Sequence, residues 1–393
     1  MDRNSIDWHG PLVALITPFK KSGEIDKDSF CQNIDRMIKK GATGVLVAGC
    51  TGEFWALSYK EKKLLFELSV ETVNGRGTVI CNCSAITPEE TIELTKESKN
   101  CGSDGSLILP SYFIKLTENE IINYYKNISS ATSSPIIIYN IPNNAVNDIT
   151  PELALELCKI NNIVAIKESS GNWKNFYSTL ILAKSKIRIF CGPSSVYGFP
   201  ATMADADGTI DCFPNVWAPG CMDIFYKSKD GDHVEAMKLQ EIGYNLTELF
   251  TSGGKTLYPS TKAAMNILGF NGGYTRPPLN DLNKNLIKDL EKGLKLQRPS
   301  LSLWVSLWSG FGACRCAGWR WGVLAVIRPR RGCSHRPLRW RRRPCRTCGT
   351  ARRRARRTRR GLRLSAQAKP LRRAWSRIVR RRPRRSAAAL RGA

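Results

Sequence analysis

The chain has 393 residues and a formal net charge of +28, but residues 298–393 hold 29 Arg and one Lys and contain no Asp, Glu, Asn or Tyr. The first 297 residues carry 31 basic and 33 acidic groups and are therefore close to neutral. This distribution excludes a single, uniformly basic protein and predicts two parts with different physical properties.

The two parts also differ in the kind of basic residue that they use. Before residue 298 the basic residues are 26 Lys and five Arg, whereas after it they are almost all Arg. We predict a globular domain over residues 1–297, long enough to bury a large core, and a disordered, Arg-rich low-complexity tail over residues 298–393. Because one folded unit gives no physical reason for this change, a fusion, a frameshift or a gene-model error is an alternative origin of the tail.

Neither a secretory signal nor a membrane span is expected from the sequence. Residues 1–5 are polar and charged, and the stretch that comes nearest to a span, residues 301–327, is interrupted by Arg315 and Arg320. The nine cysteines of the first 297 residues are odd in number and lack the spacing of a disulfide scaffold. These features predict a cytoplasmic protein with reduced thiols.

Eight short apolar segments recur along the chain with helical patterns between them. Most are apolar at every position rather than at alternate positions, as is typical of strands buried on both faces of a parallel sheet. The predicted strands are Leu12–Thr17, Gly44–Ala48, Thr78–Cys83, Gly105–Leu109, Pro135–Tyr139, Ile163–Lys167, Arg188–Cys191 and Gly208–Cys212.

The segments between these strands have the apolar spacing of helices. Asp26–Lys40 and Tyr59–Val73 have apolar residues three and four positions apart, and Thr87 and Thr150 each precede a proline and an acid, as capping residues do. Eight such units favour a (β/α)8 TIM barrel over a doubly wound sheet, because no G-x-G-x-x-G loop opens a helix. Further helical patterns follow the eighth unit at Cys221–Thr251, Ser260–Leu268 and Leu279–Leu296.

Polar residues at the carboxyl ends of the strands are the candidates for chemistry, because barrels of this kind place their sites there. Lys167 ends strand six on the same side as Ala165, so we predict its amine inside the barrel mouth, where desolvation lowers its pKa and suits it to Schiff-base catalysis. A solvent-exposed lysine is the alternative. Tyr139 ends the neighbouring strand five and could shuttle protons or only pack. The turn at 49–53, after strand two, offers backbone N–H groups to a carboxylate.

Together these segments resemble the dihydrodipicolinate synthase / N-acetylneuraminate lyase family of class I, Schiff-base aldolases. The resemblance covers residues 8 to about 296, nearly the whole globular part, and its motifs keep their order and spacing. The shared motifs are G-P-L-V-A-L-I-T-P-F at 10–19, G-C-T-G-E at 49–53, Y-N-I-P at 139–142 and I-K-E-S-S-G at 166–171. They are highly specific for the family and only weakly specific for the substrate.

The resemblance implies three catalytic residues and no metal or other cofactor. Lys167 would form the Schiff base with pyruvate or another 2-oxo acid, and Tyr139 would be the general acid and base. Tyr112 matches an aromatic residue that in relatives reaches across a dimer interface into the neighbouring site. A homodimer or homotetramer is therefore expected.

The resemblance also implies which residues bind the substrate. Backbone N–H groups and the hydroxyl around Cys50 and Thr51 would hold the carboxylate of the 2-oxo acid, and Gly192 and Ile210 match backbone positions that line the pocket. Cys50 stands where relatives usually carry Thr or Ser as part of a hydroxyl relay with two tyrosines. Because a thiol is a weaker hydrogen-bond donor, that relay is predicted to be interrupted or rerouted in this chain.

Asn144 is the second departure from the family pattern. True dihydrodipicolinate synthases resemble one another in having Arg there, which binds the carboxylate of the second substrate, and Asn cannot form that bidentate pair. We therefore expect a lyase or aldolase with a neutral or polyhydroxylated aldehyde partner, for example one acting on a 2-oxo-3-deoxy sugar acid. The alternative is a 4-hydroxy-tetrahydrodipicolinate synthase, acting on pyruvate and aspartate semialdehyde, in which Lys255 or Arg276 supplies the missing charge.

The arginine clusters of the tail suggest an alternative of another class, a nucleic-acid-binding protein in which the barrel is only a carrier. Non-specific binding to polyanions follows from the charge alone. A zinc site is disfavoured, because structural zinc sites usually have paired C-x₂₋₄-C units and the tail has only one such pair. The cysteines and histidine concerned are Cys314, Cys316, Cys333, His335, Cys345 and Cys348.

Overall fold

Eight parallel strands close into a barrel in which each strand pairs with its neighbours in chain order and the eighth pairs with the first. The computed structural model describes the backbone of residues 1–308 and the side chains of residues 1–297. The closed barrel confirms the predicted (β/α)8 fold and excludes the doubly wound sheet. The strands are β1 Gly10–Ala14, β2 Gly44–Val47, β3 Thr78–Asn82, β4 Gly105–Ile108, β5 Ile136–Asn140, β6 Ile163–Glu168, β7 Arg188–Cys191 and β8 Gly208–Asp211.

Helices alternate with these strands, and the helices after β8 pack against one another and against β1. Their N-termini follow the predicted caps: Thr87 and Thr150 accept hydrogen bonds from the backbone N–H groups of Glu90 and Leu153. The helices are α1 Lys27–Lys39, α2 Tyr59–Val73, α3 Pro88–Asn100, α4 Glu118–Ala131, α5 Pro142–Ala145, α6 Pro151–Leu157, α7 Trp173–Ala183, α8 Ser194–Met203, α9 Pro214–Lys229, α10 His233–Thr251, α11 Leu257–Ile267 and α12 Lys284–Trp308.

Several predicted element boundaries differ from the structure, and two of these differences have a clear physical cause. The first strand begins at Gly10 rather than Leu12, because Gly10 pairs with Gly208 where the barrel closes. It has a φ of +73°, and a Cβ there would lie 2.7 Å from the side chain of Thr43, so only glycine fits. The predicted helix Cys221–Thr251 is two helices, since the chain turns through Gly231 with a φ of +83° between α9 and α10.

The barrel interior is apolar, and the strand alternation decides which polar side chains enter it. Ala165 and Ile137 belong to the buried interior cluster, so two residues further along the same strands Lys167 and Tyr139 also face inward. That interior cluster includes Leu12, Ala14, Leu46, Ile80, Leu107, Phe190 and Ile210.

The predicted boundary at residue 297 lies within α12, which continues to Trp308. The tail arginines, the tail tryptophans and the disfavoured zinc ligands lie outside the described residues. In the part of the chain that the structure describes, no helix is both long enough and apolar enough to span a membrane, and the nine cysteines form no disulfide.

Candidate active site

Lys167 and Tyr139 lie side by side at the carboxyl end of the barrel. They are register partners on β6 and β5, and the Lys167 Nζ is 4.3 Å from the centroid of the Tyr139 ring. Lys167 is 5% exposed and Tyr139 is 4% exposed. The structure therefore places the predicted amine inside the barrel mouth, and the alternative of a solvent-exposed lysine is wrong.

Burial shifts the acidity of both groups. It lowers the pKa of Lys167, an effect partly offset by the nearby Cys50, Asp211 and Cys212. Burial also raises the pKa of Tyr139 well above its ordinary value, with further contributions from Cys50 and Tyr258. A lysine that loses its proton more easily, next to a phenol that keeps its proton, provides a nucleophile and an acid in one site.

The turn at 49–53 follows β2 and is held by hydrogen bonds from β3 and from the segment that follows β1. Thr17 Oγ1 donates to the carbonyl of Gly52 at 2.8 Å, and Asn82 Nδ2 donates to the carbonyl of Ala48 at 2.9 Å. The turn closes through backbone bonds to the Gly49 and Cys50 carbonyls. Among the described residues, no group accepts a hydrogen bond from the Thr51 N–H. This donor is therefore available to a substrate carboxylate.

Cys50 lies between two tyrosines of the same chain. Its thiol is in hydrogen-bond contact with the phenols of Tyr139 and Tyr258. Burial raises the pKa of the thiol, while the neighbouring Lys167 and the two phenols act in the opposite direction. The thiol therefore remains protonated and able to donate, as a neutral member of a chain of hydrogen bonds.

Tyr258 is a site residue that the sequence did not reveal. It lies on α11, after the eighth βα unit, and packs half-buried against the interior cluster that contains Cys50 and Tyr139. Its ring centroid is 5.4 Å from that of Trp55, which is exposed at the barrel mouth. No local signal marks Tyr258, because it is neither at a strand end nor in a motif of the family.

A buried ion pair fixes α11 against the turn at 49–53. Glu53 is fully buried with a φ of +57°, and its carboxylate pairs with the buried Lys262. The Lys262 Nζ also donates to the carbonyl of Tyr274 at 2.6 Å. Burial lowers the pKa of Lys262 to about 8, although Glu53 favours the charged amine. Breaking a pair of this kind leaves an uncompensated charge in the interior.

The remaining predicted pocket residues occupy the same end of the barrel. Ile210 is buried on β8 in the interior cluster. Gly192 follows β7, where a Cβ would lie 1.7 Å from Ser169 Oγ, so no side chain fits there. Tyr112 is half-buried and meets Phe54 edge to face, with ring centroids 5.8 Å apart.

Asp211 was not predicted and orders the loop that follows Gly192. Its carboxylate accepts hydrogen bonds from Ser194 Oγ at 2.9 Å and from the Ser195 N–H at 2.7 Å. It ends β8 next to the inward-facing Ile210, so its side chain points away from the barrel centre. We therefore interpret Asp211 as a support of the loop at Gly192.

The two cations that could replace a missing arginine are already paired. Lys255 is buried and bonds the carboxylate of Asp289. Arg276 forms a two-pronged ion pair with Glu61 and also donates to the carbonyls of Gly23 and Ala56 at 2.8 Å. Arg276 holds the pKa of Glu61 down at about 2. Neither side chain is available to a second carboxylate without losing these partners.

Asn144 stands exposed on the short helix α5, where its backbone N–H donates to the carbonyl of Ile141 at 3.0 Å. No hydrogen bond of the described residues engages its side chain. The position at which the family resemblance implies an arginine is therefore an uncharged amide, open to solvent.

The sequence matches the dihydrodipicolinate synthetase family over residues 7–297. A 4-hydroxy-tetrahydrodipicolinate synthase of Methanococcoides burtonii is 33% identical over 293 residues, which is 72% of this chain and 98% of the relative. A Rhizobium meliloti protein described as an uncharacterized DapA-like lyase is 30% identical over 289 residues, which is 74% of this chain and 96% of that protein.

Solved structures agree with these sequence relationships. The dihydrodipicolinate synthase of Aquifex aeolicus superposes with a TM-score of 0.70 at 27% identity, covering 75% of this chain and 99% of the other. The 4-hydroxy-tetrahydrodipicolinate synthase of Methylacidiphilum fumariolicum gives a TM-score of 0.71 at 26% identity, covering 76% and 99%.

Proposed function

The chain belongs to the dihydrodipicolinate synthetase family, and from this premise we propose that Lys167 forms an imine with pyruvate. We propose further that the enzyme joins this pyruvate to an aldehyde, or releases it from one, and that the aldehyde carries no carboxylate. The protein is a Schiff-base-forming lyase that acts on pyruvate or a related 2-oxo acid. The proposal adds the residues that do the work and the class of the second substrate.

One observation carries the assignment of the residues: the buried Lys167 Nζ lies 4.3 Å from the ring of the buried Tyr139. The neutral amine of Lys167 attacks the carbonyl carbon of the 2-oxo acid and forms a carbinolamine. Tyr139 gives its phenolic proton to the departing hydroxyl, which leaves as water and gives the protonated imine and a deprotonated Tyr139. Loss of a C3 proton then forms the enamine, whose C3 attacks the aldehyde; cleavage follows the reverse order.

The carboxylate of the 2-oxo acid is proposed to bind at Cys50 and Thr51. The unengaged N–H of Thr51 and the tight turn around it support this position. Gly192 and Ile210 are proposed to line the same pocket, because neither brings a polar side chain near the imine carbon.

The aldehyde is proposed to be neutral or polyhydroxylated, and Asn144, Lys255 and Arg276 together support this. A carboxylate entering the barrel mouth loses water and needs a partner charge. Asn144 has no charge, and the other two side chains are held by acids. The second candidate is condensation with aspartate semialdehyde, which the name of the Methanococcoides burtonii relative favours.

A homo-oligomer is proposed as the working form. Next to Tyr112, Phe113 is 82% exposed and Ile114 is 54% exposed, an apolar pair that a second copy of the chain would cover. Light scattering of the purified protein tests this, and a monomer at working concentration would contradict it.

The imine is tested by incubating the protein with pyruvate and borohydride. One pyruvate-derived mass is expected, on the peptide that contains Lys167. Lys167→Ala should abolish it, and Lys62→Ala, which removes a buried lysine on α2, is the matched control that should keep it. Labelling that persists unchanged in Lys167→Ala would overturn the assignment.

A further inference from the structure

Three groups in the site form a continuous line from the imine lysine toward the barrel mouth. Tyr139 lies against Lys167. Cys50 is in hydrogen-bond contact with Tyr139 on one side and with Tyr258 on the other. Tyr258 is half-buried and packs on the exposed ring of Trp55. The inner end of this line is therefore buried, and its outer end lies against an exposed side chain.

The contact between Tyr258 and Cys50 is supported by a second, independent feature. Lys262 lies four residues after Tyr258 on α11, so the two side chains are on the same face of the helix. Lys262 pairs with Glu53, three residues after Cys50 in the turn at 49–53. Helix and turn are thus joined by a buried ion pair one helical turn away from the Tyr258–Cys50 contact.

We propose that Tyr258 is the outer member of a proton relay, Tyr258–Cys50–Tyr139, that is complete within one protomer. The inference rests on the proposed function, because it supplies protons to the imine chemistry at Lys167. Cys50 interrupts the hydroxyl relay expected from the family resemblance, and Tyr258 supplies a second donor to the sulfur from the same chain. Tyr258 acts through Cys50 and is a positioning residue.

The relay balances when the carbinolamine loses water. Tyr139 gives its proton to the departing hydroxyl, and the Cys50 S–H transfers its proton to the Tyr139 oxygen. The Tyr258 O–H transfers its proton to the sulfur, and a water at the barrel mouth gives a proton to Tyr258 and becomes hydroxide, which balances the charge of the protonated imine. Each group ends as it began, and removal of the C3 proton runs the same transfers in reverse.

Tyr112 is the other candidate for the outer phenol, since it lies at the same end of the barrel. Within one chain the contacts favour Tyr258. The ring of Tyr112 packs edge to face on Phe54, and the hydrogen-bond contacts of the Cys50 thiol go to Tyr139 and Tyr258.

Exchange of the C3 protons of pyruvate in D₂O tests the relay without an aldehyde partner. Tyr258→Phe should slow the exchange by about tenfold or more and flatten its pH profile, because relayed proton transfer is lost. The final extent of borohydride trapping on Lys167 and the KM for pyruvate should change little, because the relay alters the rates of proton transfer and not the imine equilibrium. Tyr226→Phe, which removes a phenol bonded to the carbonyl of Gly41, is the control and should match the wild type.

Changes at Cys50 separate a relay from a packing role. Cys50→Ala should slow the exchange, Cys50→Ser should restore it, and Cys50→Ala with Tyr258→Phe should be no slower than the slower single variant. Exchange within twofold of wild type in Tyr258→Phe, or strictly additive losses in the double variant, would overturn the relay. Absence of trapping in the wild type would instead overturn the proposed function, so the two failures are distinguishable.

Discussion

Lys167 and Tyr139 are register partners in the parallel ladder between β6 and β5, and the amine of the first lies 4.3 Å from the ring centroid of the second. Partners in a parallel ladder point to the same side of the sheet, and in this barrel that side is the interior. Their proximity is therefore a consequence of strand pairing, and it does not depend on a flexible loop. The predictions below follow from this pair and from what surrounds it.

Tyr139→Phe should keep imine formation at least in part and lower turnover by roughly 10²–10⁴, which is the usual contribution of general acid–base catalysis. The phenylalanine ring retains the packing against Lys167, so only the proton is removed. Steady-state kinetics and borohydride trapping on the same variant measure the two effects separately. Turnover within a few-fold of wild type would remove Tyr139 from the mechanism.

The reactivity of Lys167 should rise with pH and level off below the pH expected of an exposed lysine. Only the neutral amine attacks a carbonyl or an acylating reagent, and burial lowers the pKa at which Lys167 becomes neutral. Competitive acylation across a pH series, read by peptide mass spectrometry, gives the midpoint for Lys167 beside that of the exposed Lys60 as an internal control. A higher midpoint for Lys167 than for Lys60 would contradict the burial argument.

Aspartate semialdehyde should be a poor acceptor compared with a neutral or polyhydroxylated aldehyde. A charge-assisted contact contributes about 1.5–3 kcal/mol, so the absence of an arginine at Asn144 should lower kcat/KM by roughly one to two decades. Asn144→Arg should raise kcat/KM for aspartate semialdehyde, and the neighbouring, equally exposed Asn143→Arg is the matched control.

For the comparison with a neutral aldehyde, kcat/KM is measured in the cleavage direction with 2-oxo-3-deoxygluconate as the substrate. Efficient condensation with aspartate semialdehyde in the wild type would show that Asn144 carries no information about the substrate. The second candidate function would then be the correct one.

A chain that ends at residue 297 should fold and keep its activity. The residues that anchor α12, Leu290 and Leu294, are buried and are retained, whereas Leu296 is already 74% exposed. The shortened chain should also lose affinity for heparin, since its charge is close to neutral. Thermal melts, pyruvate trapping and heparin retention compare the two lengths. If only the full chain folds, the predicted boundary at 297 is wrong.

The fold and the reactive pair could be predicted because both depend on local patterns. Continuous apolar segments mark strands buried on two faces, and the first polar residues after them mark the barrel mouth. The start of β1 at Gly10 is a feature that local patterns did not predict. A glycine and a proline at a strand start resemble a turn, and only pairing across the closure with Gly208 makes them a strand.

Only the tertiary structure decided which side chains, far apart in the sequence, form ion pairs and hydrogen bonds with one another. Arg276 and Glu61 are 215 positions apart in the chain, and their ion pair removes a cation that the sequence left available to a substrate. Tyr258 reaches Cys50 because α11 docks beside the turn at 49–53, where Lys262 on α11 pairs with Glu53. The period of a strand or helix is set by backbone geometry and can be read locally. The choice of partner depends on which surfaces meet when the barrel closes and the last helices dock, and no local pattern encodes it.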